Sequence, residues 1–317
     1  MSYAQFSSID ATDFNTLVGG NPTTTANTLN ATWATGGGTA GYGQTPVANV
    51  AVGQTVAATS QWASLVTSTA NSATHQGSSI TAVSTPVAGG TITFLSAIPT
   101  NLSTIYTNRL NAASQGSTSA NTVTTAATWS SIATWTHTAT FANGDAARYF
   151  FNSGGQLKLT MSHPSGTGIN LLLNNLASNV GTVVMSAPSS GTITVTGTSY
   201  NGITKIGGGG NAPTISQNSG YYAMTTSDAN VFTQLASTGP SGYLNTFIRV
   251  QARSNGTQGS NGDTGSVITI TTIWDEVPNG LTVATGSAVT LTAQAPETTN
   301  LANSWGTITL AGSVSVS

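Results

Sequence analysis

Single apolar residues alternate with Thr through much of the second half of this chain, and that period confines it to β-sheet. Trp135, His137, Ala139 and Phe141 are each separated by one Thr, and the runs Thr192-Ile-Thr-Val-Thr196 and Ile268-Thr-Ile-Thr271 repeat the pattern. A period of two sends successive side chains to opposite faces of a strand. One face is then apolar, and the other carries Thr, which favours strand without adding charge. Many short strands of this kind, separated by Gly and Asn turns, predict an antiparallel sandwich or jelly roll.

The expected strands are 135–141, 156–162, 181–187, 192–198, 230–235, 243–253, 266–274, 289–294 and 307–316. Asn143-Gly-Asp145 reads as a turn, Arg148-Tyr-Phe-Phe151 as the start of a further strand, and Asn152-Ser-Gly-Gly155 as a hairpin. Ile169 to Val180 reads as a crossing helix. In 243–253, Phe247, Arg249, Gln251 and Arg253 share one face, so the two arginines point outward together, towards Asp275-Glu276. The loop 254–265 that joins this strand to the next is long for a hairpin, which marks it as mobile or functional.

Before Gly116 the period is helical. Ser8 to Gly19 reads as a short helix capped by Ser8 or Asp10, with Phe14, Leu17 and Val18 on its apolar side. Thr59-Ser60 can cap a second helix to Gln76, closed by Gly77, with Trp62, Leu65, Val66, Thr69, Ala70 and Ala73 on one face. A third runs from Thr100 to Ser114 through Leu102, Ile105, Tyr106, Leu110 and Ala113. Phe14, Trp33, Tyr42 and Trp62 are the expected core of this part. Ser114 to Asn121 reads as a linker, so the division is a helix-containing module at 1–116 and a mainly β, sandwich or jelly-roll-like domain at 117–317.

Only 14 of the 317 residues are charged, six Lys or Arg and eight Asp or Glu. An ordinary soluble domain has about a quarter, and it stays dispersed through that charge. A chain without it belongs in a fixed assembly. Six scattered basic residues make no phosphate-tracking groove, so nucleic acid is not an expected partner. No Cys is present, which removes disulfides and thiolate metal sites. The first residues lack the basic and apolar regions of a signal peptide, and no apolar run is long enough for a membrane span. The matches to Asn-x-Ser/Thr at Asn30, Asn101 and Asn255 are expected to be chance.

Chemistry finds little purchase. His75, His137 and His163 lack metal-ligand spacing. Asp275 and Glu276 would point to opposite faces of a strand, so they do not form a catalytic pair, and a strand-end salt bridge is expected. Gly207 to Gly210 after Lys205 lacks the Lys-Ser/Thr of a phosphate loop and reads as a flexible turn. Asn261-Gly-Asp263 lacks the carboxylate series of a calcium loop. No enzyme, cofactor or metal is expected. Tyr221 and Tyr222, with Tyr200 and Tyr243, could form a sugar-stacking surface, or else be packing and interface anchors. Tyr221, Tyr222, Arg249 and Arg253 are the candidate interface or ligand surface.

Several motifs have an order that resembles a known family. Ile9-Asp-Ala-Thr-Asp-Phe-Asn-Thr-Leu17, Gly41-Tyr-Gly-Gln44, Val52-Gly-Gln-Thr-Val56, Gln61-Trp-Ala-Ser-Leu65 and His75-Gln-Gly77 resemble the N-terminal half of a family of tailed-bacteriophage virion proteins. Phe141 to Gly155, the Asn-Leu-Leu helix before Val180-Gly-Thr-Val183, and Ile268 to Trp274 are similar to its C-terminal half. The likeness covers most of the chain. Relatives often carry basic residues just ahead of the His-Gln pair, where Ala73-Thr74 stand here. The resemblance implies a non-enzymatic part of a virion, associated with tail, neck or fibre, made in a host cytoplasm. Its partners would be other virion proteins and copies of itself, joined by apolar and hydrogen-bonded contacts that salt barely weakens. A host-surface glycan is a further candidate partner, and a capsid decoration role is the neighbouring alternative.

Overall fold

The computed structural model describes residues 10–87, 96–216 and 220–317. The helices are α1 (Ala11–Val18), α2 (Leu29–Trp33), α3 (Ala63–Gln76), α4 (Ala97–Thr107), α5 (Gly144–Asn152) and α6 (Ile169–Val180). The strands are β1 (Gln115–Thr124), β2 (Ile132–Thr140), β3 (Gln156–Ser162), β4 (Thr182–Met185), β5 (Ile193–Val195), β6 (Thr198–Tyr200), β7 (Ile203–Ile206), β8 (Thr214–Ile215), β9 (Ala229–Leu235), β10 (Phe247–Ser254), β11 (Val267–Asp275), β12 (Ala288–Pro296) and β13 (Thr309–Val316).

The chain is mainly β. One sheet has the order β1-β12-β3-β4-β7 and the other β13-β2-β11-β10-β9-β8, with β5-β6 as a separate ribbon. The pairings within them are antiparallel. The alternation read from sequence is the alternation of burial: Ala133, Trp135, His137 and Ala139 of β2 are buried, and the Thr between them are half-covered. On β11, Ile268, Ile270, Thr272 and Trp274 face inward. Trp135 and Trp274 meet with ring centroids 5.1 Å apart. Each fully buried Ile of this β11 face contributes about 1.5–3 kcal/mol through removal from water.

Helix α6 lies where the sequence puts it. Its buried residues Ile169, Leu172, Leu173, Leu176, Ala177 and Val180 keep the helical spacing and join the sandwich core. Helix α5 replaces an expected strand. Asn143 is its N-cap, its side chain accepting from the Ala146 N–H, rather than the corner of a turn. Ala146, Ala147, Phe150 and Phe151 are buried together, and their 3–4 residue spacing is helical. Asn152-Ser-Gly-Gly155 is consequently a helix-to-strand turn into β3, and no hairpin forms there. At Gly144 a Cβ would stand 2.1 Å from the Asp263 carbonyl oxygen, so the N-terminus of α5 can approach the 254–265 loop only with Gly there.

The helical part has its own buried cluster, which includes Phe14, Leu17, Leu29, Trp62, Leu65 and Leu102. Phe14 and Trp62 pack edge to face at 5.1 Å. Asp10 caps α1 in a reciprocal capping box with Asp13; Ser8, the other expected cap, lies outside the described residues. Thr59 and Ser60 do not cap the second helix. They lie within a π-helical turn, Ala58–Trp62, that runs into α3, and the Gln61 side chain instead reaches back to the Ala57 N–H at 2.6 Å. Gly77, with φ of 69°, ends α3 as expected. Ala70, placed on its apolar face from sequence, is exposed. Helix α4 starts at Ala97, because Pro99 falls in its first turn, where a missing N–H costs nothing. It stops at Thr107, so Leu110 packs towards the sandwich instead and Ala113 is exposed. The expected linker at 114–121 is mostly β1, paired to β12 from Gln115 onward, because ladder hydrogen bonds capture its uncharged Ser and Thr residues.

Candidate functional site

Two features of the structure bear on function: a buried polar junction between the helical part and the sandwich, and a pair of uncharged sheet edges. The junction begins at Arg148 on α5, whose side chain is fully buried. Its Nη1 donates to the carbonyls of Gly36 and Ala40 at 2.7 and 2.8 Å. Nη2 pairs with Asp145 Oδ1 at 3.1 Å, and Nε lies 3.9 Å from Asp263 Oδ2. One turn on, Asn152 Nδ2 donates to the carbonyls of Ala40 and Gly41. Asp263 accepts from the Gly259 and Ser260 N–H groups at 2.7 and 2.9 Å. Burial raises its pKa, against the lowering pull of those N–H groups and of Arg148.

A second set of contacts continues the junction. Gln44 clamps residue 302, accepting from the Ala302 N–H at 2.7 Å and donating to its carbonyl at 2.9 Å. His75 Nδ1 lies 2.9 Å from Glu297 Oε1. Burial would raise the Glu297 pKa, but the His75 hydrogen bond and the donors of Asn300 and Thr299 outweigh it and hold the carboxyl at about 2. Gln76 donates to the Tyr42 hydroxyl at 2.7 Å and to the Ile105 carbonyl at 2.9 Å. Burial raises the Tyr42 pKa, so the phenol is neutral. The motifs Gly41-Tyr-Gly-Gln44, His75-Gln-Gly77 and Asp145 to Asn152 thus converge on one junction.

Of the expected module core, Phe14, Tyr42 and Trp62 are buried, and Trp33 is half-buried with Nε1 donating to the Thr45 carbonyl. Tyr42 sits against His75 at the junction, at 5.3 Å between ring centroids.

Of the two readings of the tyrosines, packing is the one the structure shows: Tyr200 and Tyr221 are buried, and Tyr222 and Tyr243 are half-buried against the sandwich core. Tyr221 is fully buried and stacks on Phe151 at 4.3 Å. The Tyr222 hydroxyl lies 2.8 Å from the Gly38 carbonyl and 2.6 Å from Asn152 Oδ1. Burial raises both phenol pKa values. Helix α5 creates the apolar wall that draws both rings inward, and reading 148–151 as a strand hid it. Tyr200 is buried too, in a small cluster with Val184 and Val195. Arg249 and Arg253 do share the outer face of β10. Arg249 lies over the Phe247 ring at 4.6 Å, and Arg253 sits 3.7 Å from Asp228. No tyrosine of the 221–222 pair joins them.

Among the described residues Glu276 forms no strand-end salt bridge, whereas the Arg249 charge acts on the neighbouring Asp275. The buried Glu276 carboxylate accepts from the Gly280 and Leu281 N–H groups, at 3.2 and 2.9 Å, which ties down the following turn. Gly207–Gly210 is an exposed turn tied by the Gly209 carbonyl, which accepts from Gln234 and Lys205. His137 and His163 are buried within the sandwich, and desolvation lowers the pKa of each. Among the described residues no group of three or more His, Cys, Asp or Glu is arranged to hold a metal ion. Asn30 and Asn101 are buried and bond to backbone, so neither is open to modification in the fold.

The second feature is the sandwich edge. Among the described residues β1 forms ladder pairs only with β12, and β13 only with β2; the Trp135 indole also donates to the Val123 carbonyl of β1 at 3.0 Å, and the Gln115 amide reaches Gln156. The two edges adjoin: a Cβ on Gly312 of β13 would stand 2.7 Å from Asn121 Oδ1 and Val123 Cγ2 of β1. Both strands are largely exposed. No Asp, Glu, Lys or Arg occurs between residues 110 and 144 or after Glu297. No family model, curated protein or solved structure matches the chain. Among the described residues no helix is long and apolar enough to cross a membrane.

Proposed function

We propose that this chain is a non-enzymatic structural component of a tailed-bacteriophage virion, associated with tail, neck or fibre and assembled as a homo-oligomer. The observation that carries the reading is the adjoining, uncharged edge pair β1 and β13. Soluble proteins ordinarily guard sheet edges with Lys, Pro, bulges or a covering element. Here β1 has one register irregularity, between Gln115 and Thr118, but neither edge carries Lys or Pro, and the two long edges offer only Ser, Thr, Ala, Gly, Val, Leu, Asn and Gln. Such edges suit permanent pairing with a neighbour, and the motif resemblance supplies the particle in which neighbours stand at fixed positions. The buried polar junction supports a rigid part whose helical module and sandwich move together.

Light scattering on the purified chain tests the assembly. The oligomer is expected to persist from low to near-molar salt, because screening acts on charges that these edges lack. Ser119→Lys and Ser313→Lys, on exposed positions of β1 and β13, are expected to dissociate it while leaving thermal unfolding of the protomer unchanged. A monomeric wild type, or an oligomer indifferent to both lysines, overturns the edge assignment. Cryo-electron microscopy of the particle tests the location: density on the capsid lattice replaces the tail assignment by a decoration role, and absence from the particle removes the structural reading.

A further inference from the structure

The polar junction does more than join two parts, because both walls of an open cleft are hung from it. The cleft, of about 470 Å³, lies between residues 22–40 of the helical part and Gly259 to Asn261 of the long loop, with Tyr106 on its side. On one wall, Arg148 holds the Gly36 and Ala40 carbonyls, and Tyr222 lies within hydrogen-bond reach of the Gly38 carbonyl. On the other, Asp263 holds the Gly259 and Ser260 N–H groups, and Asp145 accepts from the Gly262 N–H. The two walls come close to each other: a Cβ on Gly38 would stand 3.7 Å from the Gly259 carbonyl oxygen. Arg109 fixes the side. Its guanidinium lies 4.5 Å over the Tyr106 ring and donates to the Thr39 carbonyl and hydroxyl at 2.9 and 2.7 Å.

Four of the 14 charged residues, Arg109, Asp145, Arg148 and Asp263, are therefore spent behind this one cleft. None of them lines it. The lining is uncharged: hydroxyls of Thr24 and Ser260, the Asn261 amide, glycine peptide groups and the Tyr106 ring, with the small apolar surfaces of Pro22, Ala31 and Ala40 and the buried Thr23, whose hydroxyl accepts from the Thr25 N–H. Its volume falls in the range of about 300–1,000 Å³ found for small-molecule sites. Walls fixed before a ligand arrives reduce the ordering cost of binding. We propose that this cleft is a binding site for a neutral carbohydrate. Uncharged hydroxyl and amide groups beside one aromatic ring match a polyhydroxylated, uncharged ligand. An anionic ligand would find no free cation, since Arg109 and Arg148 are already engaged by protein groups, and a lipid or apolar peptide would find no large aliphatic side chain. The site is separate from the sheet edges and does not depend on the particle assignment.

The test uses the full chain in its native oligomeric state on an array of uncharged hexose and N-acetylhexosamine oligosaccharides, with sialylated and sulfated glycans as comparison. Neutral oligosaccharides are expected to be retained. Titration calorimetry with a retained oligosaccharide is then expected to show Kd raised at least tenfold by Thr24→Trp, which fills the rim, and by Asn261→Ala, which removes an exposed amide. Both positions are solvent-exposed, and thermal melting is expected to stay at the wild-type value. Retention of no neutral glycan, retention of anionic glycans alone, or wild-type affinity in both folded variants overturns the site. None of these results bears on the oligomer, so the cleft can fail while the assembly reading stands.

Discussion

Replacing Arg148 by Met keeps the side-chain length and removes the charge on which the junction turns. The native guanidinium is fully buried and makes two short bonds to the Gly36 and Ala40 carbonyls. Hydrogen bonds to a charged group contribute about 1.5–3 kcal/mol each. Removing one member of a buried ion pair costs about 3–5 kcal/mol, because the partner charge is left uncompensated. The two routes overlap, so the expected loss is about 3–5 kcal/mol. It should fall first on attachment of residues 35–44 to the sandwich. Urea unfolding followed by circular dichroism measures the loss. Proteolysis reports where it falls, using a protease of broad specificity because no Lys or Arg precedes Arg109. Cleavage before residue 109 is expected to begin at urea concentrations where the sandwich is still folded. Adding Asp263→Asn to Arg148→Met should cost less than the sum of the two single changes, since the orphaned carboxylate is gone. A loss below about 1 kcal/mol, or a shifted transition with unchanged cleavage, refutes the view that Arg148 ties the two parts together.

Tyr222→Phe removes a hydroxyl placed between the Gly38 carbonyl and Asn152 Oδ1; its one proton serves one acceptor at a time, so a loss of about 1–3 kcal/mol in urea is expected. An unchanged midpoint would show that this hydroxyl adds nothing. Glu297 gives a pH signature. Its folded pKa of about 2 lies below the ordinary 4.5, so its contribution is complete above pH 4.5 and is lost as pH falls towards 2. At about 1.4 kcal/mol per unit the contribution is on the order of 3 kcal/mol. Melting temperature should drop more steeply over that window in the wild type than in Glu297→Gln, and parallel curves would remove Glu297 as the cause.

Period was the most legible property of the sequence. Alternation in β2, β10 and β11 and the helical spacing in α1, α3 and α6 were readable because each rests on which face is apolar, and neighbouring residues carry that information. Helix α5 shows where this reading slips. Phe150 and Phe151 look like strand residues taken alone, yet with Ala146 and Ala147 and an Asn143 cap the 3–4 residue spacing is helical. The linker reading of 114–121 slipped for the opposite reason. Ser-, Thr- and Gly-rich sequence is neutral between loop and edge strand, and the decision belongs to β12, which supplies the hydrogen bonds.

The sequence by itself determined that sheets would form and that their outer faces would be Thr-rich rather than charged. Tertiary structure alone decided where the few charges went. Arg148 meets carbonyls more than 100 residues away, Asp263 holds a loop against α5, and His75 meets Glu297. It also turned Tyr221 from candidate surface into core and half-buried Tyr222 beside it. Local sequence encodes the periodicity of a face because adjacent residues share one element. The partner of a buried polar group is set by which elements the fold brings together, and no local pattern carries that information.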